Sequence, residues 1–430
     1  MKKKTFNLAI VGLGNIGSYF YKHLTYNKDQ IEKKTNTNIN IKYLSARNKS
    51  KKRKISIPKS KWIKNYLDVT KKKDVDIIIE LIGGSEGPAK KLVFNGIKNR
   101  KHIVTANKSL ISKYGNELSK LAESNKVNLE FEAAVAGGVP IIRVLKEGLI
   151  TNKINKIYGI LNGTSNYILS KMSESKLNFN EVLLNAKKLG YAESNPKSDL
   201  NGEDAKSKIQ ILSSLAFNCF INKSDINVEG IQSVDQIDIQ NAKTLGYKIK
   251  HLAIAELKEN KLIQSVHTCM IKKNSYIANI NGVLNAVIIE GKPIGNYTMQ
   301  GEGAGPGPTT SALISDICSI LRGNIKLPFT IADKNRKKIK TMNFSQQYFS
   351  SYIRLDVLDK AGVLSGITKI LSKNHISVKR LIQNQFRSKK FASIIIISHQ
   401  SKNSNITKAI SELSNKKFII NKPKFFRIEV

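Results

Sequence analysis

Cysteine is scarce in this chain of 430 residues: only Cys219, Cys269 and Cys318 occur, far apart and with no CxxC pair. An odd, dispersed set of thiols excludes a disulfide framework and a zinc ribbon, and it fits a reducing compartment. The histidines at 23, 102, 251, 267, 375 and 399 show no HxxxH spacing, so no metal site built on imidazoles is expected. No run approaches the roughly 18–20 apolar residues that span a bilayer. The basic start Met1-Lys2-Lys3-Lys4 leads into an apolar stretch that breaks at Gly12, which does not match a secretory leader. The expectation is a cytoplasmic protein without a membrane partner.

Acidic residues are also few: 32 Asp and Glu stand against 72 Lys and Arg, a formal net charge of +40. Such a charge is the footprint of a nucleic-acid binder. Yet the lysines are spread along the whole chain, aromatics make up only 7%, and no nucleic-acid motif accompanies them. The charge is therefore expected to attract anionic substrates and phosphate-bearing cofactors, with no nucleic-acid partner. A chain of this length exceeds one hydrophobic core, and two or three domains are expected.

The first part of the chain alternates. Apolar strands are predicted at 6–11, 39–45, 75–82 and 102–106, with helices at 15–24 and 90–98. That β/α alternation indicates an α/β, Rossmann-type doubly wound parallel sheet. Gly12-Leu13-Gly14-Asn15-Ile16-Gly17 lies between the first strand and the first helix, the context in which GxGxxG binds a dinucleotide. The first glycine allows the tight turn and the second lets the pyrophosphate approach. The third packs the helix on the strand, leaving the helix N-terminus to the anion. No acid lies between Ile39 and Lys54, where one would bind the ribose of NAD; the segment Ser45-Ala46-Arg47-Asn48-Lys49-Ser50-Lys51-Lys52-Arg53 is basic instead. A guanidinium at Arg47 suits a 2′-phosphate, so NADP is favoured, with NAD as the alternative.

Beyond residue 135 the character changes to an α+β second domain over 136–325, with strands at 155–161 and 262–271. A glycine-rich turn at 301–307 opens a helix at 309–321, expected to pack back on the first domain, 1–135. The polar stretch 326–350 is expected to be a linker. Lys108 follows the strand at 102–106 and should face the crevice at the strand C-termini. A helix from about residue 203 carries Asp204 and Lys208, four apart on one face, beside an apolar stripe of Ala205, Ile209, Leu212 and Ala216. By spacing alone this pair is either a half-buried proton-transfer group or an ordinary surface ion pair.

Several blocks tip that balance: VTANK at 104–108, FEAAVAGGVPIIRVLKEGL at 131–149, GILNGTSNYIL at 159–169, LGYAESNPKSDLNGEDAKSK at 189–208 and GEGAGPGPT at 301–309. With GLGNIG they follow the order found in homoserine dehydrogenases, and the chain resembles that family over its first 320 or so residues. The resemblance implies reversible NAD(P)-dependent hydride transfer between L-aspartate 4-semialdehyde and L-homoserine, in the biosynthesis of threonine, methionine and isoleucine. It implies Lys208 as the proton donor and Lys108 beside cofactor and substrate. Glu193, Asp199 and Asp204 would bind the amino-acid end or orient the lysine, and Gly303 would lie in the loop over the cofactor. Glu132, Val135, Gly137 and Val139 match positions holding a monovalent, sodium-type cation. Two departures stand out: Asn195 replaces a usual aspartate, and Ser207 precedes Lys208 where histidine is usual.

The last unit, 351–430, reads as strand 352–359, helix 362–374, strands 377–385 and 391–400, helix 406–416 and strand 418–430. This βαββαβ order is ferredoxin-like. The turn Asp359-Lys360-Ala361-Gly362-Val363-Leu364 resembles that of ACT domains, which bind amino acids between paired copies. The unit is expected to be either a sensor, with threonine as effector, or an aid to assembly into a homodimer or homotetramer. The rival class, a basic regulator with a Rossmann fold and no catalysis, would have no need of Glu193, Asp204 and Lys208 together. Another amino-acid dehydrogenase would lack the NGTSNYIL block.

Overall fold

A computed structural model describes residues 3–53, 55–223, 226–386 and 388–429; Met1, Lys2 and the terminal Val430 of the expected last strand lie outside them. Strands β1 (Thr5–Val11), β2 (Asn38–Ser45), β3 (Ile77–Glu80), β4 (His102–Thr105) and β5 (Leu129–Glu130) form a parallel sheet in the order β2-β1-β3-β4-β5. Their apolar runs are buried because helices cover both faces, as parallel sheets require. These helices include α1 (Asn15–Tyr26), α2 (Lys28–Thr35), α3 (Pro88–Lys98) and α4 (Lys108–Asn125). The order reverses between β1 and β3, which opens a crevice outside the strand C-termini. The expected doubly wound sheet is borne out.

The second domain sets helices α5 (Gly163–Glu174), α6 (Phe179–Lys188), α7 (Glu203–Ala216) and α8 (Gln236–Thr244) on a sheet. Its strands are β6 (Lys153–Ile160), β7 (Tyr247–Lys258), β8 (Lys261–Lys272), β9 (Leu284–Lys292) and β10 (Gly295–Glu302). Helix α9 (Pro306–Leu321) then returns to the first domain, where Leu313, Ile317, Ile320 and Leu321 join the core under β1 and α1.

The C-terminal unit has the expected βαββαβ order: β11 (Tyr348–Leu358), α10 (Val363–Lys373), β12 (Val378–Phe386), β13 (Ser388–Ser398), α11 (Asn403–Ser414) and β14 (Lys424–Glu429). It is not a separate bead. β14 pairs with β11 on one side and, in parallel, with β8 on the other, through Arg427–Cys269, Ile428–Met270 and Glu429–Ile271. The main path of the sheet therefore runs β10-β9-β6-β7-β8-β14-β11-β13-β12 across both units. One apolar cluster also spans them, joining Ile168, Leu169, Ile231 and Met270 to Tyr352, Ile395, Ile397 and Phe426.

The stretch expected to be a linker is strapped down. Phe329 is buried, Arg336 donates to the carbonyl of Cys219, and the segment bridges Cys219 through Lys337 and Leu262 through Thr341. Buried charge fixes the junction further. Arg354 on β11 meets Asp238 on α8 with two bonds of 2.7 and 3.1 Å, and it also holds Asp356 at 2.8 Å. The Tyr352 hydroxyl donates to the same Asp238 at 2.9 Å.

Removing one partner of such a buried pair strands the other charge, at a cost of about 3–5 kcal/mol. Asp238→Ala is therefore expected to lower the stability of the whole chain by about that amount in denaturant unfolding. A loss within the ordinary surface range would show that Arg354 finds other partners.

Candidate active site

The glycine turn is built by contact. The Gly12 amide donates to the Ser45 carbonyl at 2.9 Å, and Gly12 has a φ of +108° with its Cα against Leu81. A Cβ there would lie 2.3 Å from the Leu81 carbonyl oxygen, and one on Gly17 would lie 2.0 Å from that of Gly12. Gly14 differs: it faces open space and begins α1, whose first turn has no acidic residue and no side-chain cap. Exposed first-turn amides in a turn free of side chains are a cradle for a pyrophosphate. Leu13 is buried beneath the turn; Asn15 and Ile16 enter the helix.

β3 and β4 deliver the next residues. Glu80, fully buried, accepts from the Thr105 hydroxyl at 2.6 Å and from the amides of Ile82 and Gly83. Asn107 caps α4 by accepting from the Leu110 amide at 3.1 Å and donates to the Gly84 carbonyl at 2.7 Å. Lys108 is thus the first residue of a capped helix at the mouth of the crevice. Its ammonium reaches across to the second domain and meets Asp204 Oδ1 at 2.8 Å.

Asp204 lies in the first turn of α7 because Gly202 (φ +90°) turns the chain into the helix there. One turn on, Lys208 closes on Asp204 Oδ2 at 2.7 Å and donates to the Leu161 carbonyl at 2.6 Å. Both are buried, while the Lys108 side chain keeps 40% exposure. Asn162 caps α5 and donates to Asp199 Oδ1 and Asp204 Oδ2, each at 2.8 Å. Glu193 stands exposed in the loop before Asp199, close enough for its charge to act on Lys108.

The two lysines are electrically unequal. Burial pushes the Lys208 ammonium below the usual lysine value, against the pull of Asp204. Burial also opposes charge on Lys108, but Asp204, Asp199 and Glu193 together outweigh it and raise that group. At Asp204 burial would raise the carboxyl, yet the two ammonium groups prevail and hold it well below the carboxylate range. Asp199 is raised by burial.

Other expected residues lie around this centre. Gly303 precedes α9 with its Cα pressed on the Asn285 amide, and a Cβ on Gly137 would lie 2.6 Å from the Gly303 oxygen. The loop of Glu132, Val135, Gly137 and Val139 thus abuts the Gly303 loop. The carboxylate oxygens of Glu132 accept from the amides of Ile142 (2.8 Å) and Arg143 (2.7 Å), and burial pushes the group up to about 7. Among the described residues no group of three His, Cys, Asp or Glu is placed to hold a metal ion. A cation here would rest mainly on main-chain oxygens. Arg47 is exposed just beyond β2.

Three participants were not singled out from sequence: Asn162, the Leu161 carbonyl, and Arg53, which donates to the Leu13 carbonyl at 3.0 Å and so ties the basic loop to the glycine turn. Asn162 had a signal, as an asparagine three residues before Ser165 at a helix start. The other two are tertiary contacts without one.

Dinucleotide binding on one domain and ionisable groups brought to it by the other make this an NAD(P)-dependent oxidoreductase by class. Comparison with known proteins supplies the particular family. Residues 12–132 match the family model described as "Homoserine dehydrogenase, NAD binding domain", residues 140–318 that described as "Homoserine dehydrogenase", and residues 351–415 the ACT domain. The homoserine dehydrogenase of Neisseria gonorrhoeae is 38% identical, over 95% of each chain. That of Helicobacter pylori is 36% identical, over 99% of this chain and 100% of its own. A crystal structure of a homoserine dehydrogenase from Thiobacillus denitrificans superposes with a TM-score of 0.91 at 35% identity, over 99% of both chains. The chain belongs to the homoserine dehydrogenase family.

The contrast between the glycines is testable. Gly14→Ala is expected to leave the melting temperature unchanged while weakening dinucleotide binding, because its Cβ enters only the cradle. Gly17→Ala is expected to lower the melting temperature itself. Equal thermal losses in the two variants would contradict this division.

Proposed function

We propose that the chain interconverts L-aspartate 4-semialdehyde and L-homoserine, with Lys208 as the proton-transfer group. The observation that supports it is the buried Lys208 ammonium. Among the described residues two acceptors engage it, Asp204 and the Leu161 carbonyl, which leaves its third N–H for a substrate oxygen. The turn of Gly12, Gly14 and Gly17 would hold a nicotinamide dinucleotide, which would supply the hydride chemistry at the aldehyde carbon in either direction. As the new C–H bond forms, Lys208 Nζ passes a proton to the carbonyl oxygen, whose π pair becomes the O–H bond. In reverse the neutral amine takes the hydroxyl proton. The lowered Lys208 serves both directions, whereas the raised Lys108 stays cationic and steadies negative charge on the substrate. Asp204 orients the two lysines, and Glu193 and Asp199 attract the substrate ammonium.

NADP is the preferred cofactor in this reading: Arg47 would hold its 2′-phosphate, and Arg53 ties the loop to the glycine turn. The oxygens of Glu132, Val135, Gly137 and Val139 would hold a sodium-type cation, whose contribution would be structural. Threonine binds at the turn from Asp359 to Leu364 and acts through the shared sheet, in a cytoplasmic homodimer or homotetramer. For inhibition, threonine must bind one conformation better than another.

Following NADP reduction by homoserine tests these assignments. Lys208→Ala is expected to lower turnover by on the order of 10²–10⁴ with dinucleotide binding retained. Near-normal turnover would remove Lys208 from its role. Because the Lys208 value is lowered, the neutral amine is populated below the ordinary lysine pKa. Homoserine oxidation should therefore rise with pH and level off before that value, while aldehyde reduction falls over the same window. Arg47→Ala should weaken NADP more than NAD, and equal losses would make Arg47 a bystander. Threonine added to the same assay should inhibit the full chain and not an Asp359→Ala variant; inhibition of both would place the effector elsewhere.

A further inference from the structure

Lys250 on β7 is a buried lysine that the proposed chemistry does not use. Its ammonium has no carboxylate partner in the hydrogen bonds of the described residues. It donates instead to three neutral oxygens: Asn166 Oδ1 at 3.1 Å, the Ile280 carbonyl at 2.5 Å and Asn281 Oδ1 at 3.1 Å. Burying a cation against neutral acceptors is costly, so the arrangement calls for a reason. Asn166 supplies one. It lies on α5 one turn after Asn162, and its amide donates to the carbonyls of Ile280 and Leu284, both at 3.1 Å. The same helix start lies against Val283, whose carbonyl oxygen would be 2.6 Å from a Cβ on Gly163.

We propose that Lys250 is a positioning residue of the active site, a clamp that fixes α5 on the turn before β9 so that Asn162 is presented to both Asp199 and Asp204. The proposal rests on Asp204 and Lys208 as the reacting pair. Asn162 has no slack: one amide oxygen caps α5, and its NH2 group spans two carboxylates. Ser165 adds a bond of 2.8 Å to the Asp199 carbonyl. A shift of the helix by a few tenths of an ångström changes all four contacts together, whereas the glycine turn lies on another domain and is untouched.

Three acceptors need three protons. A neutral amine has two N–H groups and a lone pair, which must then confront an oxygen, so the clamp is complete only while Lys250 is charged. Burial lowers this lysine to about 7, with Lys248 on the same strand lowering it further and Glu174 on α5 opposing. Cys269, its cross-strand partner on β8, is buried with its thiol pushed well above the usual value, and adds no charge. The clamp is therefore made below about pH 7 and loosens above it.

The test follows the KM for the amino-acid substrate across pH 6 to 9, beside dinucleotide binding and hydrogen exchange of residues 163–174. In the wild type KM should be low at acid pH and rise through about 7. Lys250→Met should give a KM about tenfold higher at pH 6, flat with pH, with faster exchange in α5 and unchanged dinucleotide affinity. Lys250→Arg, which cannot lose its charge, should restore a low KM without the inflection. Asn281→Asp alters an exposed side chain and gives Lys250 a counter-ion, so the inflection should move up by about one unit or more. An inflection that persists in Lys250→Met or stays put in Asn281→Asp overturns the proposal. So does a KM that rises only in step with lost dinucleotide affinity. The proton-donor assignment fails separately, on the turnover of Lys208→Ala.

Discussion

The buried carboxylate of Asp204 is the constraint on which this molecule turns. It accepts from a lysine of its own helix at 2.7 Å and from a lysine of the other domain at 2.8 Å. A lone buried carboxylate would be neutral, since burial opposes its charge. Two ammonium groups and the Asn162 amide make the ionised form the stable one. The same contact links the dinucleotide-binding domain to the second domain.

Asymmetry follows from unequal burial. Lys108 keeps contact with solvent and sees three carboxylates; Lys208 is enclosed and has a carbonyl for its other partner. The charged form is thereby favoured at one lysine and disfavoured at the other. Similar groups whose environments push them apart divide the labour of acid–base chemistry.

The third unit shows how far a domain can be absorbed. Its last strand completes a pairing with β8, its first strand buries Arg354 against α8, and its core residues mix with those of the catalytic unit. A unit mounted in this way is continuous with the second domain through paired strands and buried charge.

Much was legible in one dimension. Strand and helix periodicity foretold the parallel sheet, the glycine spacing its turn, and the βαββαβ order the C-terminal unit, because these depend on neighbours in the chain. The i,i+4 spacing placed Asp204 and Lys208 on one face for the same reason. Long-range pairing left no such mark. The contact of Lys108 with Asp204, the Leu161 carbonyl under Lys208, Arg53 on the glycine turn and Lys250 beneath α5 each join segments distant in sequence, and no local pattern encodes such a meeting. The stretch 326–350 misled because polar composition resembles a linker, while burial of Phe329 and Arg336 is decided by what lies across from them. Sequence alone determined the elements and the residue types available for chemistry. Tertiary structure alone decided which of many lysines lost its water, and desolvation by surrounding chain is what shifts a buried ammonium toward its neutral form.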